Sequence, residues 1–491
     1  MFFLRLRARD AIRMELTVND IVKATGGALR GGEAASTVSG ISTDSRRIRE
    51  GEAFFALKGP DFDGHDFVGE VLTKGASCVV VERASGLSPE DCAIAVKDTL
   101  KALGDLASYF RGLHDIPVIA ISGSAGKTTT KDMTASILAV SRPVLKTAGN
   151  LNNLIGLPLT LFGLNKTHRA AVLELGISEP LEMERLVEIC SPGTGVITNI
   201  GGAHLLTLKS LEGVAKAKSA LFTNIGADGT RVVNLDDPWV VRLSERLKNI
   251  VTYGVKERAD VMVKGYAPGK GLGYVDATYC VRGVDVDVRI NGASTANVIN
   301  GAAAIAATMH LNVSREDIRE GLRAFTPATG RMSMVKIGPI TVLDDTYNAN
   351  PMSVAASLET LAGAAGRKVA ILGDMLELGE ASSREHRKIG GAAGSLGADT
   401  VVAIGEWSKS TCEGAMEAGV KSVHAFKDNR EALKGLEGLL KEGDTVLVKG
   451  SRGMRLEEVV DGIRASWNAV NEPSPGVKPD GSQTVGLPGD L

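Results

Sequence analysis

Residues 116–140, IPVIAISGSAGKTTTKDMTASILAV, set an apolar run against a glycine, lysine and threonine loop and then a helix-forming segment. Strand, loop and helix in that order are what a phosphate-binding loop requires. Glycines let backbone N–H groups converge on one point, a lysine adds a point charge, and the helix N-terminus contributes the positive end of its dipole. Gly123, Ser124, Ala125, Gly126, Lys127, Thr128 and Thr129 are the candidate nucleotide-binding residues, with the Thr128 hydroxyl placed to ligate Mg2+. Only Ser124 and Ala125 separate Gly123 from Gly126, where the general pattern has four residues, so the loop is a shortened variant. A glycine turn before a helix with a solvated lysine is the competing reading of the same letters.

Outward from this stretch, apolar runs alternate with helical segments: AAVLELG, GTGVITNI, TRVVNLDD and NIVTYGV, each closed by a polar or glycine-rich turn. That alternation predicts βαβ units and a largely parallel sheet covered on both faces. Turn formers and a proline in FTPATGR precede a second series, ITVLDDTYN, KVAILGDM, TVVAIGEW, SVHAF and DTVLVKGS, which reads as a Rossmann-like domain. Residues 14–112 read as a smaller α/β domain. The expected fold is therefore α/β in three domains: 14–112, a central P-loop domain at 113–326 and a C-terminal Rossmann-like domain at 327–468. Residues 1–13 read as an extension ahead of Met14, and 469–491, rich in proline and glycine, as a disordered tail.

The bulk properties agree with several cores and narrow the partners. A chain of 491 residues exceeds the ~250–300 at which one core stops growing. Fifty-six basic residues against 58 acidic give a net charge of -2, which carries no nucleic-acid or polybasic membrane footprint. No run reaches the length of a membrane span. Five cysteines, odd in number and without CxxC spacing, predict reduced thiols in a cytoplasmic protein.

A nucleotide loop needs a metal, and open parallel sheets place ligands at the C-terminal ends of their strands. Glu174 ends AVLELG, where an acid is costly to bury unless paired or metal-bound. His204 follows GVITNIGGAH in the corresponding position, although a lone loop histidine is more often structural.

Several segments together resemble the ATP-dependent Mur ligases of bacterial peptidoglycan synthesis over about residues 14–465. The resemblance rests on GSAGKTTTKD, AGNLNNLIGLPLT, NIGGAHLLTLKSLEGVAKAKSALF, LDDTYNANPMSVAASLETL, ILGDMLELGE, VLVKGSRGMRLEEVV and GISTDSRRIREGEAFFALKGPDFDGHDF. The C-terminal motifs resemble those of the member that adds D-alanyl-D-alanine to UDP-N-acetylmuramoyl-tripeptide. The resemblance implies a monomer binding those two substrates, ATP and two Mg2+. Lys127, Glu174, His204 and Lys218 would be catalytic, and Thr128, Glu174, His204 and a carbamylated Lys218 would hold metal; Phe222, four residues after Lys218, favours it over Lys216.

Asn234, Asn297, Arg331 and Asp345 match positions around the nucleotide. Asn150, Asn153, Tyr347, Asn348, Asn350, Lys449, Ser451 and Arg452 match the substrate side, and Ser42, Asp44, Ser45, Arg46, Lys58 and His65 the UDP-sugar end. Two departures stand out: Ala296 replaces a usual histidine, and GISE follows Glu174 where GANH is common. A folylpolyglutamate-type or other Mur-type ligase, or a nucleotide-dependent switch protein, is the alternative.

Overall fold

The computed structural model describes residue 14 and residues 16–471, except 84–85, 203, 257 and 270–272. Three mainly parallel sheets follow one another along the chain. The N-terminal sheet has five strands between Ala28 and Ala95. The central sheet has nine, in spatial order Val284–Asn291, Tyr274–Val281, Val261–Pro268, Ile250–Gly254, Thr230–Asn234, Thr194–Ile197, Val118–Ser122, Ala170–Glu174 and Val144–Lys146. The C-terminal sheet orders its six strands Ser333–Ile337, Ile340–Asp345, Thr445–Lys449, Lys368–Gly373, Thr400–Ile404 and Ser422–Phe426.

Every residue of Val118–Ser122 and of Ala170–Glu174 is buried. Successive side chains of a strand point to opposite faces, so a strand covered on both sides is apolar until its last residue, here Ser122 and Glu174. Val118 and Ala120 accordingly join one core with helices Glu182–Cys190 and Leu211–Thr223. Ile119 and Ile121 join another, with helices Lys127–Ala139, Ala296–Thr308 and Arg315–Ala324.

The first of these cores also contains the N-terminal domain's Leu16, Phe55, Leu103 and Phe110, so the first two sheets share one hydrophobic interior. Arg185 reinforces the junction, its Nη2 lying 2.6 Å from Asp105. The C-terminal sheet has its own two cores.

All ten quoted apolar runs form strands. Three features escaped that reading: the edge strands Val144–Lys146 and Ser333–Ile337, and an antiparallel ladder from Val261 to Asn291 at one margin of the central sheet. Residues 469–471 correct the expected tail boundary, because helix Glu457–Asn471 continues through them. Its apolar repeat outlasts the point where the tail composition begins. The proposed extension 1–13 and the rest of the tail lie outside the described residues. No described helix is long and apolar enough to cross a membrane, and all five cysteines are free.

Candidate active site

The strand Val118–Ser122 lies between Thr194–Ile197 and Ala170–Glu174, while its own chain continues to the far strand Val144–Lys146. Reversal of strand order opens a crevice at the C-terminal ends of these strands. The phosphate loop fills it. Gly123 (φ 145°) and Gly126 (φ 79°) adopt backbone conformations that only glycine takes easily. A Cβ at Gly123 would run into the Thr198 hydroxyl, and one at Gly126 into the Asn300 side chain.

The loop is clamped to the neighbouring strand's exit. Ser124 N–H donates to the Asn199 carbonyl (3.0 Å) and Ala125 N–H to Asn199 Oδ1 (2.8 Å). Thr198 Oγ1 donates to the Ala125 carbonyl (2.6 Å). The Ser124 and Ala125 amides are thus taken. The free donors are the first amides of helix Lys127–Ala139, which have no intrahelical partner.

Lys127 Nζ donates to the Gly123 carbonyl at 2.7 Å, folded back over the loop. Burial pushes its pKa down, Glu174 pulls it back up, and Arg331 of the C-terminal domain lowers it further. Thr128 Oγ1 donates to Glu174 Oε2 at 2.6 Å, and Asn152 Nδ2 to Glu174 Oε1 at 2.8 Å. Thr147 Oγ1 accepts the Glu174 N–H at 2.9 Å. Glu174 is 2% exposed. Its neighbours are therefore hydroxyl and amide groups, a hard-oxygen setting that fits Mg2+, which needs few protein ligands when phosphates supply the others. Among the described residues no three His, Cys, Asp or Glu side chains gather as a metal cage.

Lys218 projects from helix Leu211–Thr223 and is 1% exposed. Its ammonium has no hydrogen bond or ion pair among the described residues. Burial, with Lys127 nearby as a second cause, holds its pKa well below the ordinary lysine range. His204, in a left-handed conformation (φ 55°), opens the short helix Leu205–Leu208. Its Nδ1 lies 2.6 Å from Glu377 Oε2, an ion-pair distance without hydrogen-bond alignment. Burial lowers its pKa first, Glu377 opposes this, and Lys127 and Lys218 add to the lowering. Lys127 is thus within electrostatic reach of Glu174, His204 and Lys218, and His204 of Lys218, from four separate elements.

The C-terminal domain meets this crevice. Asn350 Nδ2 donates to the Ser124 carbonyl at 3.1 Å while its Oδ1 caps helix Pro351–Ala362. Arg331 stacks 3.9 Å above the Tyr347 ring. Asp345 accepts from Lys449 Nζ (2.6 Å), Ser357 Oγ (2.6 Å) and Met332 N–H (3.1 Å). Lys449 also donates to the Asn348 carbonyl, and buried Ser451 bonds Ala349 O and Leu376 N–H. These polar residues hold the domain's strand-end loops together. Arg452 is mostly exposed and pairs with Glu457.

Asn234 is buried with its amide satisfied by Thr198 O and Asp236 N–H. Asn297 is buried in the first turn of Ala296–Thr308, the turn that Ala296 starts. Of the segment after the loop, Asn150 is exposed and Asn153 Oδ1 accepts the Ile155 and Gly156 N–H groups in the turn that leads into helix Gly156–Leu161. It is Asn152 between them that reaches Glu174. After Glu174, Ser178 and Glu179 donate their N–H groups to Glu182, a local turn that GISE adopts.

In the N-terminal domain Arg46 makes two bonds to Asp44 (2.8 and 2.9 Å), holding that carboxyl down to about 2. Asp44 N–H also donates to Ser42 Oγ, and Ser45 O accepts from Lys74. Lys58 is exposed. Both His65 ring nitrogens are engaged, Nδ1 by Asp63 (2.6 Å) and Nε2 by the Glu82 N–H (2.9 Å). A separate cavity of about 860 Å3, lined by Tyr266, Thr278, Arg289 and Arg319, lies on the antiparallel ladder and includes none of these residues.

Asn152, Asn199, Asn300 and Glu377 were missed in the sequence. Asn300 carried a signal, standing three residues after Asn297 and so on the same helix face. Asn152 was adjacent to the chosen asparagines. Asn199 and Glu377 carried none, because each matters only through a distant partner.

Three family models match the chain: the Mur ligase middle domain over residues 121–308, the Mur ligase glutamate ligase domain over 330–452 and the Mur ligase family catalytic domain over 37–111. A UDP-N-acetylmuramoyl-tripeptide–D-alanyl-D-alanine ligase of Bacillus subtilis is 34% identical over 451 residues, 90% of this chain and 97% of its own length. A crystal structure of MurF from Acinetobacter baumannii matches with a TM-score of 0.86 at 34% identity, over 92% of this chain and 99% of that one. MurF ligase from Thermotoga maritima, solved in complex with ADP, matches with a TM-score of 0.79 at 29% identity, over 89% and 99%.

Proposed function

The chain belongs to the Mur ligase family, and from that membership we propose that it joins D-alanyl-D-alanine to UDP-N-acetylmuramoyl-tripeptide with cleavage of ATP, in peptidoglycan precursor synthesis. Similarity to D-alanyl-D-alanine ligases along nearly the whole of both chains carries the reading. ATP use and the nucleotide-linked substrate support a cytoplasmic reaction, with a monomer as the acting unit of this proposal. Residues 14–112 hold the UDP-sugar, 113–326 the ATP, and 327–468 close over both.

A carboxylate is a poor electrophile. Its oxygen attacks the γ-phosphorus and ADP leaves, giving an acyl phosphate. The dipeptide amine then attacks the carbonyl carbon, phosphate leaves, and a proton is lost as the amide forms. The protein's task is to position the reactants and offset negative charge. Lys127 and the Gly126–Thr129 amides hold the β- and γ-phosphates. Arg331 of the other domain lies near enough to Lys127 to lower its pKa, so both cations are available to the phosphates. Asn350, bonded to the loop, and the stacked Arg331–Tyr347 pair line the C-terminal side.

Thr128 and Glu174 would hold one Mg2+, and His204 with carbamylated Lys218 a second; the ions supply charge neutralisation on phosphate and carboxylate. Lys218 suits carbamylation because a buried amine without a counter-ion favours the neutral form, and only that form adds to carbon dioxide. Ser42, Asp44, Ser45, Arg46 and Lys58 form the UDP-sugar end, with His65 fixing the loop that carries it.

A coupled ADP-release assay over nucleotide-sugar tripeptides bearing diaminopimelate or lysine tests the function. Turnover should require both a tripeptide and D-alanyl-D-alanine. Robust ADP release with neither would overturn the ligase reading in favour of a switch.

A further inference from the structure

The loop Asp374–Gly379 leaves strand Lys368–Gly373 of the C-terminal sheet on a fixed base. The Asp374 carboxylate accepts the Glu406 and Trp407 N–H groups at 2.7 and 3.1 Å. Met375 N–H donates to Nε2 of the buried His386 (2.9 Å), whose Nδ1 donates to Ser382 O (2.7 Å), and Leu376 N–H donates to Ser451 Oγ (2.9 Å). From that base Glu377 emerges at φ 64°, a left-handed conformation costly for a residue with a Cβ.

Three consecutive residues of the central domain meet it. His204, also left-handed at φ 55°, sets Nδ1 2.6 Å from Glu377 Oε2. Leu205 packs against both the central and the C-terminal cores. Leu206 N–H donates to the Glu377 carbonyl at 3.2 Å. A carboxylate 55% exposed beside an imidazole 28% exposed adds little stability as an ion pair. Strained backbone on both sides of one contact is instead the pattern of groups held for their geometry.

We infer that Glu377 is a positioning residue: when the C-terminal domain closes, it latches onto residues 204–206 and fixes the ring orientation of His204. An anionic carboxylate held 2.6 Å from Nδ1 restrains the imidazole ring electrostatically and fixes where it sits in the crevice. The C-terminal domain thereby completes a group belonging to the central domain, so closure and assembly of the reacting site are one event.

This rests on the proposed ligase function only for its kinetic readout. Glu377→Ala should lower kcat ~10- to 100-fold with KM for the nucleotide-sugar tripeptide within about twofold, since the UDP-sugar end that anchors that substrate is held by residues 14–112, away from Glu377. The thermal midpoint should not move, Glu377→Asp should recover part of the rate, and Glu380→Ala, in the helical turn just after the loop, should match wild type. Amide exchange of the segment around Leu206, with a non-hydrolysable ATP analogue and the tripeptide bound, should slow in wild type and stay fast in Glu377→Ala. Wild-type kcat in the alanine variant, or equal slowing of exchange in both proteins, overturns the latch. If wild type releases no ADP with any tripeptide, the function fails while the exchange comparison still decides the latch.

Discussion

Lys218 shows how a residue can work against the fold that carries it. A lysine at 1% exposure with no partner among the described residues is destabilising as an ammonium. The folded pKa lies below the ordinary value of about 10.4. The unfolded chain therefore binds the proton more tightly. The penalty is full below the lowered folded value, and stability from this group rises as pH climbs from there toward the unfolded value. Lys218→Met, similar in volume and uncharged, should raise the thermal midpoint of metal-free protein at pH 7 in carbon-dioxide-stripped buffer. That gain should shrink toward pH 10, as melting curves across pH would measure. The same variant should lose at least ~1,000-fold in ligase rate, whereas Lys218→Ala should regain part of its activity with a short carboxylic acid added. Undiminished turnover in either variant would remove Lys218 from the chemistry.

At the scale of elements, the phosphate loop was readable because its requirements are local: an apolar strand, glycines where φ is positive, and a helix beginning at Lys127. Gly126→Ala should destabilise by ~1–2 kcal/mol from left-handed strain and raise KM for ATP by about tenfold or more, measured by melting and ADP-release kinetics. An unchanged KM would mean the loop does not hold the nucleotide. The antiparallel ladder was equally local in principle. Tyr274–Val281 and Val284–Asn291 alternate apolar and polar residues across a turn at Arg282 and Gly283, both with positive φ. It lies between NIVTYGV and FTPATGR, where strict alternation leaves no continuous apolar run of the kind that marks the buried parallel strands. Lys449, read on the substrate side, and Asp345, read on the nucleotide side, differ from the loop in that their 2.6 Å pairing joins residues 104 apart and has no local signal.

The whole molecule divides unevenly. The N-terminal and central sheets share one core, while the C-terminal sheet has its own interior and meets them through loops around Ser124, Gly201 and His204. Closure should therefore move the C-terminal domain against a rigid pair, pivoting about the 325–330 linker. Small-angle scattering should show compaction on adding ATP analogue with tripeptide, and none with D-alanyl-D-alanine alone; no change with any ligand would count against closure. The sequence by itself determined the strands, the glycine loop and the family motifs, because backbone geometry and hydrophobic alternation act over a few neighbouring residues. Tertiary structure alone decided that Asn152 reaches Glu174, that Lys218 is buried without a counter-ion and that Glu377 meets His204. Those relations join residues far apart in the chain, and only the crossing of strands and the packing of separate cores brings their side chains within a few ångströms.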